Sequence, residues 1–338
     1  MLNLLQKLIE RRDLSAGETG DVFDRLMEGR LTPAQVGALL AAFQLKGETV
    51  EELVGAAAAM RRHAVLIDTG GRPVVDTCGT GGDRSGTFNI STAAALVVAG
   101  SGIPVAKHGN CAITSRCGSA DVLAELGVNL DSPPDRVEAC LRETGIAFLY
   151  APRLHPAMKH VAGLRRELGF RTIFNLLGPL TNPAAARAQI LGVFAPELTE
   201  CLAAVLRELG SRRAFVVHGR DGLDEITVTA ATRITELRDG RLRTYDFDPA
   251  PLIGRLHSPD SLRGGAPAEN AALIRRILAG ERGAPRDVVL LNAAAGIVAG
   301  GKAGDLREGF ALASDSLDSG RAAAALQALA DHTRPAGP

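Results

Sequence analysis

From Val74 onward, short apolar runs alternate with stretches of helical periodicity, and this alternation constrains the fold more than any other feature of the chain. The runs are Val74-Val75-Asp76, 103–106, 146–150, 190–194, 214–218 and 288–291, and helical patterns cover 91–100, 119–126, 196–208 and 268–279. Runs that each return through a helix predict an α/β unit with a largely parallel sheet. In such sheets ligands gather beyond the C-terminal strand ends, so the residues just after each run carry the functional information. Before Val74 the rhythm is helical only. Ser15 with Glu18, Thr32 with Gln35, and Thr49 with Glu52 have the spacing at which N-cap and N3 side chains satisfy each other's backbone N–H groups. Pro33 takes the favoured first helical position. Apolar faces such as Val36, Leu39, Leu40 and Phe43 run between these starts, and Gly70-Gly71-Arg72-Pro73 closes the unit.

Composition excludes several classes. The 338 residues are 46% hydrophobic and 22% charged, ordinary for a soluble globular chain. Lys plus Arg and Asp plus Glu both number 38, so no overall field draws the molecule to nucleic acid or anionic lipid. The start, MLNLLQKLIERRDLS, reads as an amphipathic helix and not a signal peptide. No apolar stretch reaches the roughly 18 residues of a membrane span. The five cysteines, Cys78, Cys111, Cys117, Cys140 and Cys201, are odd in number and lack C-x-x-C spacing, which fits a reducing cytoplasm. No repeat or extended low-complexity segment points to a solenoid or a disordered scaffold.

Four segments carry chemistry. CGTGGDRSGTFNIST, residues 78–92, has four glycines and leads into a helix. Its N–H groups can form an anion nest, and the helix start adds a favourable dipole for phosphate. It fits neither the P-loop nor the G-x-G-x-x-G pattern, and a plain glycine-rich turn with a capping Ser or Thr reads the same way. KHGNCAITSRCGS, residues 107–119, reads as a loop in which Lys107, Thr114, Ser115 and Ser119 can meet a phosphate, or as an ordinary surface loop. In HGRDGLDE, residues 218–225, Asp224 and Glu225 can share an Mg²⁺ ion only if the backbone turns there; a solvated acidic turn is the bland alternative. Arg165, within a helical 159–171 stretch, is either a solvated charge or a clamp for a planar carboxylate. His155, His160 and His218 lack metal-ligand spacing and are read as structural or as general polar contacts.

Taken in order, GTGGD (79–83), KHGN (107–110), CGSADVLAELG (117–127), HPAMKHV (155–161), RTIFNLLGPLTNPA (171–184) and HGRDGLDEI (218–226) resemble the anthranilate phosphoribosyltransferase family, and the resemblance reaches to about residue 330. It implies a small α-helical domain, residues 1–70 joined by part of 165–190, and a large α/β domain with a mostly parallel central sheet, residues 74–164 and 190–338. It further implies a homodimer built through the helical domain and a Mg²⁺-dependent reaction, the second step of tryptophan biosynthesis, in which anthranilate displaces pyrophosphate from phosphoribosyl pyrophosphate. Two Mg²⁺ ions per site, shared with the pyrophosphate, follow from the same resemblance. Carried onto this sequence, Gly79, Gly82, Asp83, Thr87, Asn89, Ile90, Ser91 and Thr92 would cradle phosphoribosyl pyrophosphate. Lys107, His108, Gly109, Asn110, Cys111, Ala112, Ile113, Thr114, Ser115 and Ser119 would close on it. Ser91, Asp224 and Glu225 would hold the metal, and Gly79, Asn110 and Arg165 the anthranilate, with neither general base nor covalent nucleophile assigned.

Two positions depart from the family pattern. Cys111 stands where arginine usually follows KHGN, and Gly163-Leu164 where proline and valine usually precede Arg165. The first removes a cation near the pyrophosphate and predicts weakened binding of that substrate. Two other readings stay open on the sequence: a nucleoside phosphorylase of the same fold, and a non-catalytic paralogue that binds nucleic acid. Paired carboxylates argue against the first and zero net charge against the second.

Overall fold

The computed structural model describes residues 1–112 and 116–334. Helices Leu2–Ile9, Ala16–Met27, Pro33–Lys46 and Val50–Arg62 form the N-terminal unit. All three expected capping boxes are present, at Ser15, Thr32 and Thr49. One of them does double duty. Glu52 is fully buried, and its carboxylate accepts from Leu14 N at 2.9 Å, Thr49 N at 2.9 Å and Lys46 Nζ at 2.9 Å. These bonds offset the cost of taking a charge out of water and tie the second helix's approach to the fourth.

Among the described residues seven strands follow: β1 (Val75–Gly79), β2 (Val105–Gly109), β3 (Ile146–Tyr150), β4 (Ala188–Gly192), β5 (Arg213–Gly219), β6 (Thr232–Arg238) and β7 (Arg241–Phe247). They lie in the order β3-β2-β1-β4-β5-β6-β7. The first five are parallel, and β6 and β7 extend one edge as an antiparallel hairpin. The expected fold class, α/β with a small helical domain and a mostly parallel sheet, is the observed one. Alternation along the strands builds two layers, since successive side chains face opposite ways. Ile190, Phe215 and Val217 join the core under helices Ile90–Gly100 and Ala284–Ala299. Leu191, Ala214 and Val216 join the core shared with helix Leu198–Glu208 and the N-terminal helices.

One expected strand is a helix. Residues 288–291 lie inside Ala284–Ala299, which is buried along nearly its whole length. A short apolar run does not distinguish a buried strand from a buried helix, and here the apolar character continues through Ala293, Ala294, Ala295 and Ile297 to helical length. A second correction bears on the site. The loop expected from Lys107 begins only after Gly109, because Lys107 and His108 are buried residues of β2. A buried carboxylate on the neighbouring strand, Asp76, explains how a lysine is tolerated there: Asp76 Oδ1 accepts from His108 N at 3.1 Å, and its charge faces Lys107.

Candidate active site

The ends of β1 and β4 leave a slot that only glycine permits. A Cβ on Gly79 would lie 2.8 Å from Asp224 Oδ2, and one on Gly192 would lie 1.5 Å from the Asp224 carbonyl oxygen. The missing side chains let the turn after β5 drop onto the sheet. Gly81 N then donates to Asp224 Oδ2 at 3.0 Å, and Asp224 N to Asp83 Oδ2 at 3.4 Å. The 218–225 backbone therefore does turn, as shared metal binding requires. Two residues that sequence reasoning passed over hold that turn. Asp221 accepts from Leu223 N at 3.2 Å and from the Thr227 hydroxyl at 2.6 Å. Asn292, on the buried helix Ala284–Ala299, accepts from Ile226 N and donates to Ile226 O, both at 2.9 Å.

Three carboxylates meet here: Asp83, Asp224 and Glu225. Burial pushes Asp224 up to about 7, with the neighbouring Asp83 charge adding to it. Glu225, 7% exposed, is pushed well above the ordinary range by burial and then by Asp224. Against this stand the Lys107 charge and the Ser91 backbone, which both favour ionised Glu225. Lys107 Nζ itself donates to Thr77 O at 2.5 Å and to Ser91 Oγ at 3.4 Å, beneath the site and not in the open cleft. Excess negative charge, a hydroxyl at Ser91 and hard oxygen donors at Asp224 and Glu225 suit Mg²⁺. Among the described residues no three His, Cys, Asp or Glu side chains enclose a metal on their own. Mg²⁺ usually keeps several waters and takes substrate phosphates into its shell.

The start of helix Ile90–Gly100 faces the same region. Asn89 precedes it but makes no side-chain cap. Its carboxamide instead donates to Cys117 O at 3.1 Å and accepts from Asn270 Nδ2 at 3.1 Å. The first-turn N–H groups, including those of Ser91 and Thr92, are thus left without an Asn89 cap, and the dipole favours an anion beside them. Thr92 Oγ1 is buried without a hydrogen-bond partner. Thr87 is half-buried, with its hydroxyl 3.3 Å from that of Ser85.

Beyond β2, Asn110 is exposed, and Ser119 folds back on it, accepting from Asn110 N at 3.2 Å and donating to Asn110 O at 3.3 Å. Asp121, unnoticed in the sequence, gathers both ends of the loop by accepting from Ala112 N and Gly118 N at 2.8 Å each. Cys111 Sγ lies 3.4 Å from Tyr150 Oη, and burial pushes its thiol up. Ile113, Thr114 and Ser115 lie outside the described residues. His108 and His155 face each other through their Nε2 atoms at 3.2 Å, and burial drives them down to about 3 and about 4. His218 Nδ1 meets Val193 O at 2.8 Å.

Arg165 stands apart from this cluster. Its half-buried guanidinium sits 5.2 Å from the Phe174 ring centroid, and burial lowers its pKa. The link back to the cluster runs through the chain: Arg171, shortly downstream, donates from Nη2 to Gly82 O at 2.5 Å.

A helical bundle followed by an α/β unit is the arrangement of a two-domain glycosyl transferase family, and both of its domains are matched here. Residues 2–64 match the helical bundle domain of the glycosyl transferase family and residues 71–323 its a/b domain. The anthranilate phosphoribosyltransferase of Desulfosudis oleivorans is 56% identical over 334 residues, 98% of each chain. That of Pelotomaculum thermopropionicum is 55% identical over 98% of this chain and 96% of its own. Among solved structures, the Thermus thermophilus anthranilate phosphoribosyltransferase superposes with a TM-score of 0.93 at 46% identity, covering 98% of this chain and 99% of that one. The Saccharomyces cerevisiae enzyme in complex with PRPP and Mg does so at 0.88 and 29%, covering 98% and 97%. This chain belongs to the anthranilate phosphoribosyltransferase family.

Proposed function

We propose that this chain transfers the phosphoribosyl group of 5-phosphoribosyl 1-pyrophosphate to the amine of anthranilate, releasing pyrophosphate, as the second step of tryptophan biosynthesis. The observation that carries the reading is the slot at Gly79 and Gly192, which sets Asp224 against the glycine turn and beside Asp83. Relatives bearing that name, and yeast structures holding PRPP with Mg or 4-fluoroanthranilate, support it. In this reading Gly79, Gly82, Asp83, Thr87 and residues 89–92 receive the phosphoribosyl pyrophosphate, and residues 107–115 with Ser119 flank it. Asn110, Arg165 and Gly79 orient anthranilate, Arg165 by a charge-assisted pair with its carboxylate.

Ser91, Asp224 and Glu225 would hold Mg²⁺, two ions shared with the pyrophosphate, which neutralise the leaving group's charge. The protein's own part is alignment. The aromatic amine is neutral near pH 7 and needs no strong base, so bringing nitrogen and anomeric carbon together supplies much of the rate, an effect worth up to roughly 7–11 kcal/mol. Backbone N–H groups of the glycine turn and of the helix start at residue 90 absorb the charge that develops on the departing oxygens. Closure of a helical domain (residues 1–70 with part of 165–190) over the α/β domain would exclude water. We further place the enzyme in the cytoplasm as a homodimer joined through the helical domain.

The test mixes the protein with anthranilate, phosphoribosyl pyrophosphate and Mg²⁺ and follows anthranilate fluorescence. Loss that requires all three supports the reading. A folded protein that leaves fluorescence unchanged, yet cleaves a nucleoside with inorganic phosphate, would replace it with the phosphorylase reading.

A further inference from the structure

Arg171 has none of the roles assigned so far, yet it is built into the glycine turn. Its guanidinium lies 4.1 Å from the Phe194 ring centroid, and its Nη2 donates to Gly82 O at 2.5 Å. The packing is close: a Cβ on Gly82, whose φ is +79°, would sit 3.4 Å from Arg171 Nε. Phe194, the platform, also holds the same turn, since Phe194 N donates to Thr80 Oγ1 at 3.2 Å. Thr80 N in turn donates to Gly192 O at 2.9 Å. The turn is therefore held between a backbone tether and an arginine that stands on the tethering residue's ring.

The consequence follows from peptide geometry. A trans peptide is planar, so the carbonyl of Gly82 and the N–H of Asp83 point in opposite directions. Fixing the carbonyl on Arg171 fixes where the Asp83 N–H is aimed, which is away from Arg171. Glycine at 82 would otherwise allow that peptide to flip readily. The flat guanidinium can stack and donate at once, which a lysine ammonium cannot.

We propose that Arg171 is a positioning residue for phosphoribosyl pyrophosphate: it locks the 82–83 peptide so that the Asp83 N–H is presented to the substrate's phosphates. This rests on the reading that the glycine turn binds that substrate. It adds a second link, because the segment that carries Arg171 also carries Arg165.

Calorimetric titration of phosphoribosyl pyrophosphate with Mg²⁺ into the wild type, R171K and R171Q tests it, alongside steady-state kinetics and thermal unfolding. R171Q is expected to weaken binding by roughly 10- to 100-fold, the range for losing a hydrogen bond to a charged group. The loss should fall on KM for this substrate more than on kcat, with Tm moving by less than about 4 °C. R171K, which keeps the charge without the flat stack, should lie between. Unchanged affinity in R171Q overturns the proposal. So does a weakening matched by a large fall in Tm with no advantage for R171K, the signature of a merely structural arginine. Should R171Q fail to fold, F194L removes the ring and keeps the backbone tether; unaltered affinity there also overturns it. A wild type that does not bind the substrate at all would sink the functional reading itself, and this proposal with it.

Discussion

The facing histidines make the protein's stability depend on pH in a calculable way. His108 and His155 are 8% and 6% exposed, their Nε2 atoms are 3.2 Å apart, and neither imidazole accepts a further proton until about pH 3 and about pH 4. In the unfolded chain each protonates near pH 6.5. A folded pKa below the unfolded one means the stabilisation is whole above pH 6.5 and drains away as pH falls toward 4. Between pH 7.5 and 5.5 the unfolded chain gains about 1.4 kcal/mol per histidine by proton uptake that the native state does not match. Asp224 and Glu225 work in the opposite direction over the same window, because their raised pKa values let the native state take up protons. The wild-type slope alone is therefore ambiguous. A double difference removes the carboxylates: urea unfolding of the wild type and His155→Gln at pH 7.5 and 5.5, both without metal. The variant should lose about 1.4 kcal/mol less than the wild type on acidification, since one imidazole no longer titrates. Equal losses in the two proteins would mean that His155 takes up its proton in the native state as readily as in the unfolded chain, and the account of the pair would be wrong.

Further predictions concern the site. Asp224→Ala or Glu225→Ala should lower Mg²⁺-dependent turnover by about 100-fold or more, measured with saturating substrates, whereas turnover near wild type would remove both from the metal shell. Arg165→Ala should raise KM for anthranilate by roughly 10- to 100-fold with little change in KM for phosphoribosyl pyrophosphate; untouched anthranilate kinetics would displace the aromatic site. Cys111→Arg should lower KM for phosphoribosyl pyrophosphate by about 10-fold through a restored charge-assisted bond, and an unaltered KM would show that Cys111 is no handicap. Gly192→Ala should leave the sheet folded but drive the acidic turn off β4, because the new Cβ falls 1.5 Å from Asp224 O, so activity should collapse with far-UV circular dichroism retained.

What the sequence made legible was local. Capping pairs at Ser15, Thr32 and Thr49 need only residues three apart, and five of the parallel-strand runs are bounded by turn-forming residues. The run at 288–291 misled because burial on all sides erases the helical period. The β6–β7 hairpin went unread although Asp239-Gly240, both at positive φ, is a strong hairpin signal. Within the site, the glycine turn, KHGN and the acidic pair were recognisable as motifs. Asp121, Asn292 and Arg171 were not, because each acts on backbone groups that only the fold brings within reach.

Asn292 divides the site mechanically. Its two hydrogen bonds fasten the acidic turn to helix Ala284–Ala299, among the most deeply buried segments of the molecule. The Ile226 amide should accordingly exchange with solvent deuterium only when that helix opens, on the timescale of global unfolding. Helix Lys159–Leu168, which carries Arg165, buries only Val161 and is tied to the glycine turn through Arg171 downstream. On the proposed reading, substitutions on the exposed face of that helix should cost little stability, while the carboxylates stay fixed to the core.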